Sequence, residues 1–289
     1  MLVHLNSRIL PRSDARISPL DRGFIFGDAL YEGLRAFDGR IVGAGLHARR
    51  LAEGLKEIRL DWDASRLEAM SLELLAANGL KDAFIYWQVS RGAPGPGQPV
   101  RARLLKADVR PTVFGYCSPT PTLAECRGTI PTKSAMTVAD TRWKKCHVKS
   151  TSLLGAIMAS FDADAAGVDD AIFVADGRVS EGTSANLFAA VQRGDSVEIV
   201  TPSLHSAPML AGVTRDVVLA AARRAGVAIS ERPLLADELA RAGEVMLCGT
   251  LTMITAITKL DGRVLRDGRP GEAARRLHGL LIDAIASGA

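Results

Sequence analysis

The run DRGFIFGDALYEGLRAF, residues 21–37, decides how the chain is read. Its second half, Leu30–Phe37, reads as a strand, and Asp38-Gly39 behind it is a hairpin turn signal. Ile41–Gly43 is then the partner strand. Successive strand side chains point to opposite faces, so Tyr31, Gly33 and Arg35 share one side. A hydroxyl, room for a ligand and a carboxylate-binding guanidinium on one face could make a pocket wall. Taken alone, the stretch reads more readily as an edge strand with Tyr31 and Arg35 on its surface.

Outward from this run, residues 2–6 alternate as a strand, Ile9–Arg12 continues it as a hairpin arm, and Ser18–Gly27 reads as a loop. His47–Ile58 has helical spacing at 51, 55 and 58, residues 65–77 form a second amphipathic helix, and Ala83–Ser90 is a buried strand. GAPGPGQP at 92–99 is a loop, because its prolines and glycines fit neither helix nor central strand. Residues 111–116 resume as a strand, and Ser118–Arg127, with Pro119 and Pro121, looks like an interdomain linker. Beyond it the spacing predicts a helix over Ser150–Ala166, strands over 171–175 and 186–191, and a helix over Thr214–Ala225. Strands Val245–Cys248 and Met253–Leu260 and a helix over Glu272–Ala286 complete the pattern. Strands and helices intersperse without strict βαβ alternation, which indicates a mixed α/β or α+β architecture. The boundaries are 1–117 for the first domain, 118–127 for the linker and 128–289 for the second.

The bulk properties agree with two ordinary domains. The chain has 289 residues, 47% hydrophobic and 24% charged, a globular profile. Its net charge of +4 is dispersed in pairs such as Arg49-Arg50 and Arg223-Arg224, whereas a nucleic-acid surface needs a clustered basic stripe. The first ten residues, MLVHLNSRIL, contain no apolar signal core, and no apolar run reaches the ~18 residues of a membrane span. Cys117, Cys126, Cys146 and Cys248 lack metal-ligand spacing and suggest no disulfide framework, which fits reduced thiols in the cytoplasm. No nucleic-acid, membrane or metal partner is expected.

Five further stretches carry chemistry. In LHARRL (46–51) an Arg in a helix's first turn could meet a phosphate, or simply lie along the helix surface. In RWKKCHVKSTSLL (142–154), Lys149 precedes Ser150-Thr151-Ser152, a helix N-cap cluster that would fix it in place. Partly buried, such a lysine has a neutral amine available for imine chemistry; exposed, it is an ordinary surface lysine. DGRVSEGTSANLFAA (176–190) presents Glu181, a carboxylate able to pair with a cationic ring nitrogen or to sit exposed in a loop. Finally, LAGVT (210–214) stands directly before a helix, and CGTLT (248–252) lies between strands. The first places Gly212, Val213 and Thr214 where backbone N–H groups and the helix dipole favour an anion, although a bare glycine turn is the alternative.

Together, FGDALYEGLRAF, LHARRL, the Lys149-Ser150 pair, EGTSANLF and the GVT and GTLT loops resemble the fold-type IV aminotransferases. The resemblance runs from Val3 to about Leu281, and six motifs recur in one order. It implies a smaller N-terminal α/β domain and a larger C-terminal pseudo-barrel domain that carries the cofactor lysine. It further implies pyridoxal 5'-phosphate lying between the domains, in a homodimer. By the same resemblance Lys149 carries the cofactor and Glu181 faces its pyridine nitrogen. Arg50, Gly212, Val213, Thr214, Gly249 and Thr250 hold its phosphate, and Leu210 packs on its ring. Tyr31, Gly33, Arg35 and Gln98 are the implied substrate contacts, with an amino donor and a keto acid acceptor as partners.

Within that family, IYWQVSRGAP and DTRWKKCHVKSTSLL look closest to D-amino acid transaminases. Those enzymes usually carry an Arg and a His in the loop after Arg91-Gly92, where this chain has GAPGPGQP with neither. YEGLRAF resembles branched-chain aminotransferases instead, in which an arginine at the place of Arg35 helps bind substrate. The order of expectation is therefore a D-amino acid transaminase, then a branched-chain L-amino acid aminotransferase, then an (R)-selective amine transaminase. An aminodeoxychorismate lyase comes last, since its strand motif has threonines where this chain has Tyr31-Glu32-Gly33. Arg101 and Arg103, just beyond the loop, rival Arg35 for the substrate carboxylate.

Overall fold

The computed structural model describes residues 1–104 and 109–289. They divide into two compact units, Met1–Thr122 with Val148–Leu153, and Leu123–His147 with Leu154–Ala289. The expected linker at 118–127 thus splits between them: Thr112–Pro119 is strand and Leu123–Gly128 is helix. The larger correction concerns Val148–Leu153. Lys149 was expected in the second domain, yet its segment packs with the first, because its backbone hydrogen-bonds to a strand there.

The first unit contains β1 (Leu2–Leu5), β2 (Arg8–Pro11), α1 (Arg22–Phe26), β3 (Ala29–Phe37), β4 (Arg40–Ile41), α2 (Ala44–Glu57), α3 (Leu67–Asn78), β5 (Ala83–Ser90) and β6 (Thr112–Pro119). Its sheet runs β2-β1-β6-β5-β3-β4. Where a loop was expected before β3, α1 forms a short helix: Asp21 caps it by accepting from the Gly23 N–H at 2.8 Å, and Gly27 ends it at a φ of 64°. Alternation in β3, β5 and β6 makes one sheet face apolar. Leu30, Leu34, Ile85, Trp87, Val89, Val113 and Cys117 pack there with Leu51 and Leu55 of α2 and Leu67 and Leu74 of α3. The buried Trp87 indole donates to Ser71 Oγ at 2.7 Å, which satisfies its polar edge. The opposite face carries an aromatic row in which Tyr31 stacks on Tyr86 and Tyr86 on Tyr116.

The second unit contains α4 (Leu123–Gly128), β7 (Thr132–Ala139), α5 (Leu154–Ala165), β8 (Asp170–Ala175), β9 (Arg178–Gly182), β10 (Asn186–Arg193), β11 (Ser196–Thr201), α6 (Val213–Arg224), β12 (Ile229–Glu231), β13 (Leu234–Leu235), α7 (Ala236–Ala240), β14 (Glu244–Gly249), β15 (Met253–Leu260), β16 (Arg263–Val264) and α8 (Glu272–Ala286). Its sheet runs β12-β11-β10-β14-β15-β7-β8-β9-β13, with β16 on β15. β7, β9 and β11 were absent from the sequence reading, since TKSAMTVA, RVSEG and SVEIVT mix polar and apolar residues too evenly to stand out. Among the described residues, no helix is long and apolar enough to cross a membrane.

Helix α5 starts at Leu154, four residues later than expected. Ser150 instead forms an antiparallel bridge with Leu30, and the Thr151 N–H donates to the Ala29 carbonyl at 3.0 Å. Short hydroxyl side chains tolerate extended backbone as readily as a cap position, so the sequence Ser-Thr-Ser was compatible with either.

Candidate active site

In the first unit, Lys149 is fixed from its backbone. The Tyr31 N–H donates to the Lys149 carbonyl at 3.0 Å, continuing the bridge at Leu30–Ser150. The Lys149 Nζ stands 4.2 Å from the Tyr31 ring centroid, within cation–π range. Position is therefore set by strand pairing, not by the helix cap that the sequence suggested.

The next residue along β3 points the other way. Glu32 is 1% exposed and faces α2. Its carboxylate takes a side-on fork from Arg50, with Nε at 2.8 Å and Nη2 at 2.6 Å, and its Oε2 lies 2.6 Å from His47 Nδ1. His47 and Arg50 sit three apart on α2 and so share a helix face. Burial alone would raise the Glu32 pKa; the Arg50 charge and hydrogen bonds and the His47 bond outweigh it, bringing it down to about 2. Burial pulls His47 below the ordinary imidazole range, which leaves a neutral ring whose Nδ1–H donates to Glu32. Glu32 and His47 were not singled out from the sequence.

Tyr31, Gly33 and Arg35 do share a face, as alternation requires. The space over Gly33, however, is filled by a neighbour: a Cβ there would come 2.8 Å from the Phe84 ring. Arg35 is 4% exposed, donates to the Pro121 carbonyl at 3.1 Å and lies 4.5 Å over the Phe37 ring. Gln98 turns its side-chain oxygen back to the Gly95 N–H at 3.0 Å, and Arg101 lies 5.4 Å over Phe26.

In the second unit, Glu181, 5% exposed, is the centre of a polar cluster. Arg142 donates to its Oε1 at 2.8 Å; Asn186 Nδ2 and the Leu210 N–H donate to its Oε2 at 3.2 and 3.1 Å. Arg142 also forks onto Asp140 at 3.0 and 2.9 Å and stacks 3.9 Å over the Phe173 ring. Burial opposes the Arg142 charge, yet Asp140 and Glu181 more than offset it and fix the guanidinium as a cation. The trio Asp140–Arg142–Glu181 thus holds two negative charges and one positive, a polarity suited to a protonated ring nitrogen. Arg142 escaped the sequence reading because 39 residues separate it from Glu181.

The same Asn186 links the carboxylate to the anion loop, since its Nδ2 also donates to the Leu210 carbonyl at 2.9 Å. A Cβ on Gly212 would collide with the Asn186 side-chain oxygen, so this close approach requires glycine. Gly212 is the N-cap residue of α6, and among the described residues no side chain caps it, although Val213 and Thr214 behind it are buried. A buried helix N-terminus without a capping side chain is a site for an anion such as a phosphate. Gly249 closes β14, and Thr250 begins the short turn to β15. The residues present therefore fit pyridoxal phosphate at both its ends.

A family comparison agrees with this reading. The family described as amino-transferase class IV matches residues 29–260, and the chain belongs to it. Two full-length relatives carry different substrate names. A D-alanine aminotransferase of Bacillus licheniformis is 33% identical over 99% of this chain and 98% of its own. A Methanocaldococcus jannaschii protein with the provisional name branched-chain-amino-acid aminotransferase is 34% identical over 96% and 94%. Among solved structures, the branched-chain amino acid aminotransferase of Thermobaculum terrenum in its PLP form aligns at a TM-score of 0.85 and 26% identity, covering 100% of this chain and 94% of the other. The protein is a fold-type IV, pyridoxal-phosphate-dependent aminotransferase.

Proposed function

We propose that this aminotransferase moves the amino group of a D-amino acid to a 2-keto acid, with Lys149 and Glu181 as its catalytic residues. The observation that carries the site assignment is the backbone lock on Lys149, which holds its amine against the Tyr31 ring. Full-length similarity to a D-alanine aminotransferase supports the substrate hand. In this reading Arg50, Gly212, Val213, Thr214, Gly249 and Thr250 hold the cofactor phosphate, and Leu210 packs on the ring. Tyr31, Gly33, Arg35 and Gln98 border the substrate. The bound cofactor supplies an electron sink for charge developing at the substrate Cα. Lys149 Nζ takes the proton from Cα and delivers it on the same face to the carbon that takes over the amino group, a shuttle that one base performs. Glu181 keeps a proton on the ring nitrogen.

With the Cα–H bond directed at Lys149, exchanging the carboxylate and side-chain positions inverts the accepted hand. A branched-chain L-amino acid reading is favoured by Arg35 and by the similarity to the Methanocaldococcus jannaschii protein. Half-reactions with D-alanine, D-glutamate, L-leucine, L-glutamate and (R)-1-phenylethylamine, followed by loss of the visible cofactor band, decide between them. Fast reaction with L-leucine and none with D-alanine would overturn the D-amino acid proposal.

The reading includes a cytoplasmic homodimer. Helix α5 supports the dimer because it is inverted: Ala159 and Ala163 pack inward with Phe173, while Leu154, Ile157, Met158 and Phe161 are 68%, 44%, 58% and 67% exposed. Spaced i, i+3, i+4 and i+7, these four form one outward apolar stripe that pairing with a second copy across a two-fold axis would bury. Phe161→Glu is expected to shift sedimentation from dimer to monomer; an unchanged dimer would remove α5 from the interface.

A further inference from the structure

We propose that Glu32 and His47 are positioning residues that set the direction of the Arg50 guanidinium, and through it the affinity for the cofactor phosphate. The proposal rests on the reading that Arg50 meets that phosphate. Three features of the first unit support it. Glu32 stands in the middle of β3, which pairs with β5 from Ala29 to Ala36, so the carboxylate is mounted on a rigid element. Its contact with Arg50 is a planar side-on fork through Nε and Nη2, which fixes orientation as well as distance. Finally, His47 Nδ1 holds Oε2 at 2.6 Å, so the carboxylate cannot turn with its arginine.

An arginine on a helix surface otherwise samples many rotamers and must be ordered when its anion arrives. Here Glu32, 1% exposed, and His47, 2% exposed, meet that ordering cost during folding. Such a role accounts for a charged residue on the core-facing side of β3, which is otherwise made of Leu30, Leu34 and Ala36. Neither residue is assigned contact with substrate or cofactor.

A purely structural ion pair would give the same contacts, so the test reads cofactor affinity separately from stability. Glu32→Gln, His47→Gln, Arg50→Lys and the Glu32→Gln/Arg50→Lys double variant are prepared as holoenzymes. Pyridoxal phosphate dissociation is measured by equilibrium dialysis, and melting temperatures are taken for apo and holo forms. Glu32→Gln and His47→Gln are each expected to raise the dissociation constant roughly tenfold, about the worth of one charge-assisted hydrogen bond. Lysine keeps the charge but has no fork to orient, so Glu32→Gln should have little further effect on Arg50→Lys. An unchanged dissociation constant in Glu32→Gln, with only a lowered apo melting temperature, overturns the proposal. Equal losses from Glu32→Gln in both backgrounds overturn it as well. If Arg50→Lys itself binds the cofactor as tightly as wild type, the phosphate reading of Arg50 is what fails.

Discussion

Glu32 in the first unit and Glu181 in the second are both buried carboxylates bonded to an arginine, yet they are built for different tasks. Arg50 spans both oxygens of Glu32, and a neutral His47 completes the set, so that trio is charge-balanced. Arg142 donates to Oε1 of Glu181 and is shared with Asp140; neutral donors from Asn186 and Leu210 serve Oε2. A balanced cluster orients its members, whereas a cluster with excess negative charge can stabilise a cation. In the proposed reading the same residue type plays a positioning role in one place and a chemical role in the other, and the partner arrangement distinguishes them.

The largest effect should come from the group that the Glu32 side of the molecule serves. Lys149→Ala is expected to fold, to lose cofactor fixable by borohydride, and to lower turnover by on the order of 10⁴-fold. Near wild-type turnover would remove Lys149 from the chemistry and leave the comparison with no reacting amine.

Next in size is Glu181→Gln, which keeps shape and removes charge. Turnover should fall about 10²-fold while cofactor dissociation changes much less, because the interaction matters most as charge develops in the transition state. If single-turnover rates were unaltered, the two carboxylates would be alike after all.

The contrast also predicts an acid response for Glu32. Its folded pKa of about 2 lies below the unfolded value of 4.5, so it stabilises the fold above pH 4.5 and loses that contribution as pH falls toward 2. The contribution is about 3 kcal/mol. His47, lowered by burial, acts in the same direction: its unfolded form takes up a proton near pH 6.5 while the folded form resists it. Chemical denaturation of wild type between pH 7 and 3 should therefore show a steeper loss of stability than Glu32→Gln. Parallel curves would show that the ion pair contributes no linkage.

The smallest expected effect belongs to Arg35. Its guanidinium is already engaged with the Pro121 carbonyl and the Phe37 ring, which limits what it can give a substrate. Arg35→Ala should raise the KM for amino and keto acids by roughly tenfold or less, with little change for a neutral primary amine. Equal KM values in mutant and wild type would move attention to Arg101 and Arg103.

Much of this was legible beforehand. The turn at Asp38-Gly39, the alternation in β3 and the bounds of β5, β15 and α8 follow from local signals, and residues 83–90, 253–260 and 272–286 appear as read. Partners distant in sequence were not legible. Nothing near Glu181 announces Arg142, and nothing near Lys149 announces that its backbone pairs with Tyr31. Glu32 was passed over because a charged residue in a strand normally faces water. The signal that could have found it was on α2, where His47 and Arg50 recur on the face that also carries Leu51.

Strand β3 has one more consequence, for folding fidelity. Its odd residues supply the aromatic row and its even residues supply Leu30, Glu32 and Leu34 to the core. A slip of one residue against β5 would exchange the two faces at once. Glu32 would then land among tyrosines, without its arginine, and Tyr31 would be driven into the packing against α2. Such a misregistered chain would bury an unpaired charge, so the wrong register is penalised at the same residue that organises the right one. The two-residue turn at Asp38 and Gly39, with φ of 47° and 76°, sets the register of β3 against β4, and Glu32 guards the register against β5 from within.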